Sequence, residues 1–284
     1  MTPQLSLTVL ADNTTLTDRY FIGEPGLSFF LTTMGKRILF DTGYSDAFLV
    51  NAEKMGINLL DLDMVVLSHG HSDHTGGMFP LIRYMARAGK RRERLKIPSL
   101  IAHPHCFCPR QKTPDPDTWY VLPEHELAGH FTVITSTGPL WLTENLVFLG
   151  EIERKPGFEQ FNPGKRKIVM PDGRKRTDLI RDDSALAFCA DDGIRVITGC
   201  SHSGIGNIVE HARSVCNKKK VIDIIGGLHL LSPGRTRLRK TGEYLQGLHL
   251  KSLHACHCTS LASKIALAGY CPVKETGVGT KIEW

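Results

Sequence analysis

No Cys-x-x-Cys pair occurs among the eight cysteines of this 284-residue chain. The cysteines are scattered as Cys106, Cys108, Cys189, Cys200, Cys216, Cys256, Cys258 and Cys271, two of the pairs spaced Cys-x-Cys. A small secreted disulfide framework is therefore excluded, and reduced thiols in a cytoplasm are expected. The start, MTPQLSLTVLADN, has no basic opening and turns polar after ten residues, so no secretory leader is expected. No apolar run approaches the length of a membrane span, and no membrane partner is expected. No short repeat and no low-complexity tract is present. Neither sign of charge dominates: 35 Lys and Arg face 29 Asp and Glu, a formal net charge of +6. So mild an excess suits an anionic substrate as well as nucleic acid and by itself decides neither.

What remains is a chain long enough to bury a sizeable core. LSLTVLADN alternates and reads as a strand. LSFFLTT and RILFDTG flank Met34-Gly35-Lys36 as a hairpin. SDAFLVNAEKMGI carries a Ser-Asp start and helical spacing, MVVLSHG is a short buried strand, and HTGGMFPLIRYMARAGK leads into a second helix. KRRERLKIPSL holds a basic turn and then a strand. The stretch 104–182 is less regular, and a surface excursion is expected there: 104–130 is unassigned, GPLWLTENLVFLGEI reads as one or two strands, and the charged part from 153 holds the basic run GKRKIVMPDGRKR. Order returns with SALAFCADDGIRVITG, an Asp-Gly hairpin. A helix over 204–216, the strand VIDIIGG, the helix TRLRKTGEYLQGL, the strand KSLHACHC and the helix SLASKIALAGY follow. Strands precede helices in both halves. The expectation is an α/β protein with two sheets and outer helices in a single domain over 1–284.

Between an apolar run and two glycines, LSHGHSDHTGG places His69, His71, Asp73 and His74 within six residues. In extended chain His69 and His71 point the same way. Asp73 and His74 follow where the loop meets a helix. Imidazole and carboxylate suit zinc, iron or manganese. Four donors are enough to begin a pair of ions, His69 and His71 on one, Asp73 and His74 on the other. Such a pair can acidify a bridging water and neutralise charge on a phosphate or carbonyl.

The remaining donors are sought after later strands, where α/β proteins build their sites. VITGCSHSG offers Cys200 and His202, DIIGGLHLL offers His229, and SLHACHCTS offers His257. His202 and His257 are expected on the metals. His229 is expected to contact substrate or act in catalysis, or else to satisfy a core hydrogen bond. If the hairpin turns on Asp192-Gly193, Asp191 faces Ile194, and counting back brings Asp183 to His202. Asp183 then either binds metal or supports a ligand, or is only a solvated acid at a strand start. Ser201, Ser203 and Thr259, beside the starts of two helices, are expected to help hold an anion, although helix capping explains them too.

FDTG, HGHSDH and CHCT resemble the motifs of the metallo-β-lactamase superfamily. The resemblance runs over nearly the whole chain. It implies a four-layer αβ/βα sandwich with a di-metal site along one edge, zinc first with iron or manganese as alternatives, and Asp41 as a carboxylate beside the metals. Within that superfamily, VLADN, GLSFFL, DDSALAF, VITGCSHSG, IIGGLHL and GVGTKIEW resemble the ribofuranosylaminobenzene-phosphate dihydropterin synthases of tetrahydromethanopterin biosynthesis. Those enzymes join a dihydropterin-methyl diphosphate to an aminobenzene riboside phosphate and release pyrophosphate. Superfamily hydrolases commonly carry TGD where this chain has TGC. Two arrangements follow. His202 completes one metal and Asp183 supplies the carboxylate, or Cys200 acts as a thiolate ligand. The first is favoured because the motif keeps both DD and SH.

Three functions compete. The leading one is a metal-dependent synthase acting on a small phosphorylated substrate. The second is a hydrolase of a phosphodiester, lactone or thioester, and the third a non-catalytic binding protein stabilised by metal. A flavin-linked di-iron oxygen reductase is disfavoured, because that group has an acid where His71 stands. A nucleic-acid partner is not expected, since those relatives generally carry an inserted domain. A homo-oligomer is allowed by the sequence and not required by it.

Overall fold

The computed structural model describes residues 4–90, 96–112, 123–155, 157, 159 and 161–284. The basic turn at 91–95 and the middle of the Pro- and His-rich stretch, 113–122, lie outside the described residues. Along the chain run β1 (Leu5–Ala11), β2 (Ser28–Thr33), β3 (Lys36–Phe40), α1 (Ala47–Lys54), β4 (Met64–Val66), α2 (Ser72–Thr75), α3 (Met78–Lys90), β5 (Ser99–Ala102), β6 (Arg110–Lys112), α4 (Glu124–Leu127) and β7 (Thr132–Thr135). Then follow β8 (Leu140–Trp141), β9 (Leu146–Phe148), β10 (Arg166–Val169), β11 (Lys175–Thr177), β12 (Ala185–Ala190), β13 (Gly193–Thr198), α5 (Ile205–Cys216), β14 (Val221–Gly227), α6 (Arg235–Leu248), β15 (Ser252–Cys256), α7 (Leu261–Ala268) and β16 (Lys281–Glu283).

These elements divide into two compact units. One takes Met1–Thr135, Lys165–Asp178 and Gly277–Trp284, the other Ser136–Gly164 and Leu179–Thr276. The first unit has a sheet of order β16-β1-β2-β3-β4-β5-β7. Its β1, β2, β3 and β16 pair antiparallel, and β3, β4, β5 and β7 run parallel. Met78, Leu81, Ile82 and Met85 recur at helical spacing and bury one face of α3 against Leu39, Val65, Leu67 and Leu100 of the sheet side. Gly77 permits this approach. A Cβ there would crowd the carbonyls of Thr42 and Ser45 and the Phe48 ring. A smaller sheet of order β11-β10-β6 belongs to the same unit.

The second unit repeats the plan. Its sheet has the order β15-β14-β13-β12-β9-β8, with β13, β14 and β15 parallel and the rest antiparallel. Ile205, Ile208, Val209 and Ala212 of α5 are buried against Val196, Ile224 and Leu253. Each unit thus has one large sheet and a helical layer. In each, loops that leave parallel strands emerge at the strands' carboxyl ends, where side chains from neighbouring strands converge.

Within the stretch 104–182, β7 joins the first sheet, the strands read in GPLWLTENLVFLGEI are β8 and β9 of the second, and β10 and β11 pair with β6. Two sequence expectations are corrected. The β12–β13 hairpin pairs Ala190 with Gly193 and Cys189 with Ile194, so its turn is Asp191-Asp192, one residue earlier than expected. Gly193 is a strand residue at φ +144, needed because a Cβ would crowd Ile222 and the Lys220 carbonyl. Finally, the thiols are not all reduced. Cys189 on β12 and Cys216 at the end of α5 form a disulfide with Cα atoms 6.1 Å apart. A separation of 27 residues hid this pairing from the spacing argument.

Candidate metal centre

In the first unit the donors follow β4. His69 and His74 are fully buried, and His71 nearly so. His69 Nε2 lies 3.0 Å from His71 Nδ1, so the two imidazoles meet nitrogen to nitrogen. The His69 Nδ1 is 2.9 Å from the Ser68 hydroxyl. His74 Nδ1 is 2.7 Å from Asp41 Oδ2, and its Nε2 is 3.9 Å from Asp73 Oδ2. Asp41 stands at the end of β3 with φ +58 and is fully buried. Its carboxylate also accepts from the Ser68 amide and the Ser68 hydroxyl, both at 2.7 Å. A carboxylate that fixes one histidine nitrogen leaves the other as an oriented donor, the usual support of a metal-binding histidine.

The loop between these histidines is shaped by Gly70. A Cβ at Gly70 would overlap the Arg110 guanidinium and the Cys106 carbonyl. Arg110 is itself buried, and its Nε donates to Asp178 Oδ2 at 3.0 Å. This buried ion pair joins β6 to the residue just past β11 and lies against the His69–His71 backbone. No sequence spacing announces it, since 68 residues separate its members.

In the second unit the donors come from three adjacent strand ends. One nitrogen each of His202 and His229 and the Cys200 sulfur lie within 4.8 Å of one another. The His202 and His229 ring centroids are 4.4 Å apart. His229 Nδ1 is buried and has no hydrogen-bond partner among the described residues. His257 follows β15, the neighbour of β14, and is buried. Ser201, His229 and His257 all have positive φ, at +58, +50 and +50. Such backbone conformations cost energy in non-glycine residues and cluster at functional loops.

Asp183 is fully buried at the foot of this loop. Its two oxygens accept from the amides of His202 at 3.0 Å and Ser203 at 2.7 Å. Burial pushes its carboxyl up to about 6, against the pull of those amides, the Ser203 hydroxyl and Arg154. Its position thus braces the His202 loop from below.

The three hydroxyls expected to hold an anion each have a partner inside the fold. Ser201 Oγ donates to the Gly227 carbonyl at 2.7 Å and joins β13 to β14. Thr259 Oγ1 accepts from the Leu228 amide at 3.0 Å, and Ser203 hydrogen-bonds Asp183. Ser201 and Thr259 satisfy buried backbone groups of the strand-end loops, and Ser203 meets the buried Asp183 carboxylate.

Sequence reasoning passed over Cys258. Its sulfur accepts from the His229 amide at 3.2 Å. Burial alone would raise this thiol. The hydrogen bonds of Cys200 and His229, with the neighbouring imidazoles, outweigh burial and hold it well below the ordinary thiol range. The Cys-His-Cys run had displayed the residue, but without a second spaced pair its role was illegible.

Imidazole nitrogens converging in buried loops, a histidine braced by a carboxylate and a thiol among the donors form a chemically sound set for divalent metal. The comparisons agree. A sequence profile of the metallo-β-lactamase superfamily matches residues 22–86. The 7,8-dihydropterin-6-methyl-4-(β-D-ribofuranosyl)-aminobenzene-5'-phosphate synthase of Methanocaldococcus jannaschii is 30% identical over 266 residues, covering 86% of this chain and 84% of the synthase. The crystal structure of a metal-dependent hydrolase of the β-lactamase superfamily superposes with a TM-score of 0.80 at 24% identity over 99% of both chains. A diphosphatase of the PhnP family shares the fold at a TM-score of 0.54 and 15% identity, over 99% of this chain and 98% of its own. The chain therefore has the metallo-β-lactamase α/β fold and belongs to the metallo-β-lactamase superfamily of metal-dependent enzymes, in the branch that holds the archaeal synthase.

Proposed function

We propose that this enzyme joins a dihydropterin-methyl diphosphate to an aminobenzene riboside phosphate. The carrying observation is the 30% identity to the archaeal synthase over nearly the full length of both chains. The amine nitrogen forms the new bond to the methylene carbon, the carbon–oxygen bond to diphosphate breaks, and the amine proton leaves to solvent. Pyrophosphate is the second product.

The donors in the first unit are His69, His71, Asp73 and His74; those in the second are His202 and His257, with Cys200 and His229 beside them. The ions are zinc, two per chain, a reading supported by the mixture of imidazole, carboxylate and thiol. Divalent metal held there supplies positive charge that favours departure of a diphosphate. The chain's own residues orient that chemistry. Asp41 fixes His74, Ser68 meets His69, and Asp183 braces the loop of His202.

The test is incubation of the zinc-loaded protein with each substrate and with both. Pyrophosphate released only when both are present supports the synthase. Turnover of bis(p-nitrophenyl) phosphate alone, without pyrophosphate from the pair, would replace it with a hydrolase. Metal analysis returning fewer than two equivalents of zinc would overturn the metal assignment.

A further inference from the structure

The net charge of this chain has an address. The segments 110–112 and 165–178 hold eight Lys and Arg residues and only two acids, Asp172 and Asp178. Removing them from the totals of 35 and 29 leaves 27 cations and 27 acids in the rest of the chain. The whole formal excess of +6 therefore sits on the small sheet β11-β10-β6 and its turn. Asp178 is taken by Arg110, and Asp172 lies 3.7 Å from Arg174. Among the described residues no acid pairs with Lys165, Arg166, Lys167, Lys175 or Arg176. The unneutralised cations thus lie together on β10, β11 and their turn, with β6 and its paired Arg110 beside them.

The register says which face matters. Ile168 of β10 stands opposite Arg110 of β6 on one side and Arg176 of β11 on the other. Cross-strand partners share a face, and Arg166, two residues before Ile168, shares it too. Arg110 is the member of this row whose guanidinium lies against Gly70, between His69 and His71. The row that ends in Arg176 is therefore rooted on the metal loop itself. Arg166 Nε is buried with no hydrogen-bond partner among the described residues. Lys167 and Lys175 belong to the opposite face, with Lys167 near Thr177.

We propose that this sheet is an anion-recognition arm, in which Arg166 and Arg176 take the phosphate ester of a substrate that reacts at the His69–His74 loop. Guanidinium groups suit phosphate because they offer paired donors in a fixed plane. A concentrated positive field beside an otherwise balanced surface also draws such a substrate in. The inference rests on the reading of a phosphorylated substrate, but not on the synthase reaction in particular.

Ribose 5-phosphate is the probe, with ribose as its neutral counterpart, titrated calorimetrically into the full-length zinc-loaded protein. The phosphate ester is expected to bind and ribose not to bind. Loss of charge-assisted hydrogen bonds in Arg166→Glu/Arg176→Glu should weaken binding about tenfold or more. Lys167→Glu/Lys175→Glu should weaken it no more than about threefold, as exposed charges on the other face are screened. Bound zinc is measured in both variants, so that a folding failure is seen as such. If it appears, Arg166→Gln/Arg176→Gln replaces the reversed pair with the same expected loss. The proposal fails if ribose 5-phosphate does not bind, if ribose binds equally, or if the two reversals weaken binding alike. Phosphate binding lost in the arginine pair, with no pyrophosphate formed from the synthase substrates, would leave the arm standing and remove the synthase.

Discussion

In the first unit His69, His71, Asp73 and His74 come from a single loop after β4, whereas in the second Cys200, His202, His229 and His257 come from loops after β13, β14 and β15. The first set's donors need mainly local geometry, an extended His-x-His and a turn, with one supporting carboxylate brought across by the β3–β4 pairing. The second needs the order of three parallel strands, and so depends on long-range pairing. One set is fixed by chain chemistry, the other by sheet topology.

Removing one donor from each set tests whether they are equal partners. His71→Ala is expected to cost one zinc equivalent and more turnover than the ~10–100-fold typical of losing a ligand's outer partner. His202→Ala should match it. Full zinc and full turnover in His202→Ala, by metal analysis and pyrophosphate release, would break the equivalence.

Arg110→Met tests the support peculiar to the first unit. It strands the buried Asp178 carboxylate and should cost about 3–5 kcal/mol in urea unfolding. Arg110→Met/Asp178→Leu should recover most of that loss, because the uncompensated charge is gone. A double variant as unstable as the single one would show that the guanidinium acts through packing on Gly70 instead.

Next come the two bracing carboxylates. Asp41→Asn disturbs a histidine directly and should weaken zinc binding about 10–100-fold in competition with a chelator. Asp183→Asn disturbs only the amides and hydroxyl beneath His202, so its effect on zinc should be smaller. The reverse order would make Asp183 the more intimate partner of the metal.

The smallest effect is a slope. Burial raises the Glu159 carboxyl, and the amides of Gly206 and Asn207 at the start of α5, with Arg237, only partly oppose it. The native state therefore holds a proton that the unfolded chain has already released. Stability contributed by this group is present at low pH and falls as pH rises from the ordinary glutamate range through the raised value. Glu159→Gln should flatten that dependence in urea midpoints taken from about pH 4 to pH 7. An unchanged slope would remove Glu159 from the account.

The same contrast explains what could be read beforehand. The HGHSDH loop was legible because its donors are contiguous. Strands and helices from β12 onward were legible because their hydrophobic periods are clean. The hairpin register slipped because Gly193 serves close packing and not the turn. The fold partners of Ser201, Ser203 and Thr259 were not legible because sequence does not show which buried groups need a hydroxyl. Arg110 with Asp178, and Cys189 with Cys216, join residues whose nearness exists only after folding.

The positive φ values at Asp41, Ser201, His229 and His257 carry a consequence for anyone redesigning this enzyme. Asp, Asn, His and Gly tolerate that backbone, while β-branched residues resist it. Exchanging His229 or His257 for Asp or Asn keeps the loop's path while changing the side chain it presents from nitrogen to oxygen. Threonine at the same place would alter the path before it altered the chemistry. The strand ends thus restrict the usable alphabet of the site as firmly as the metal does.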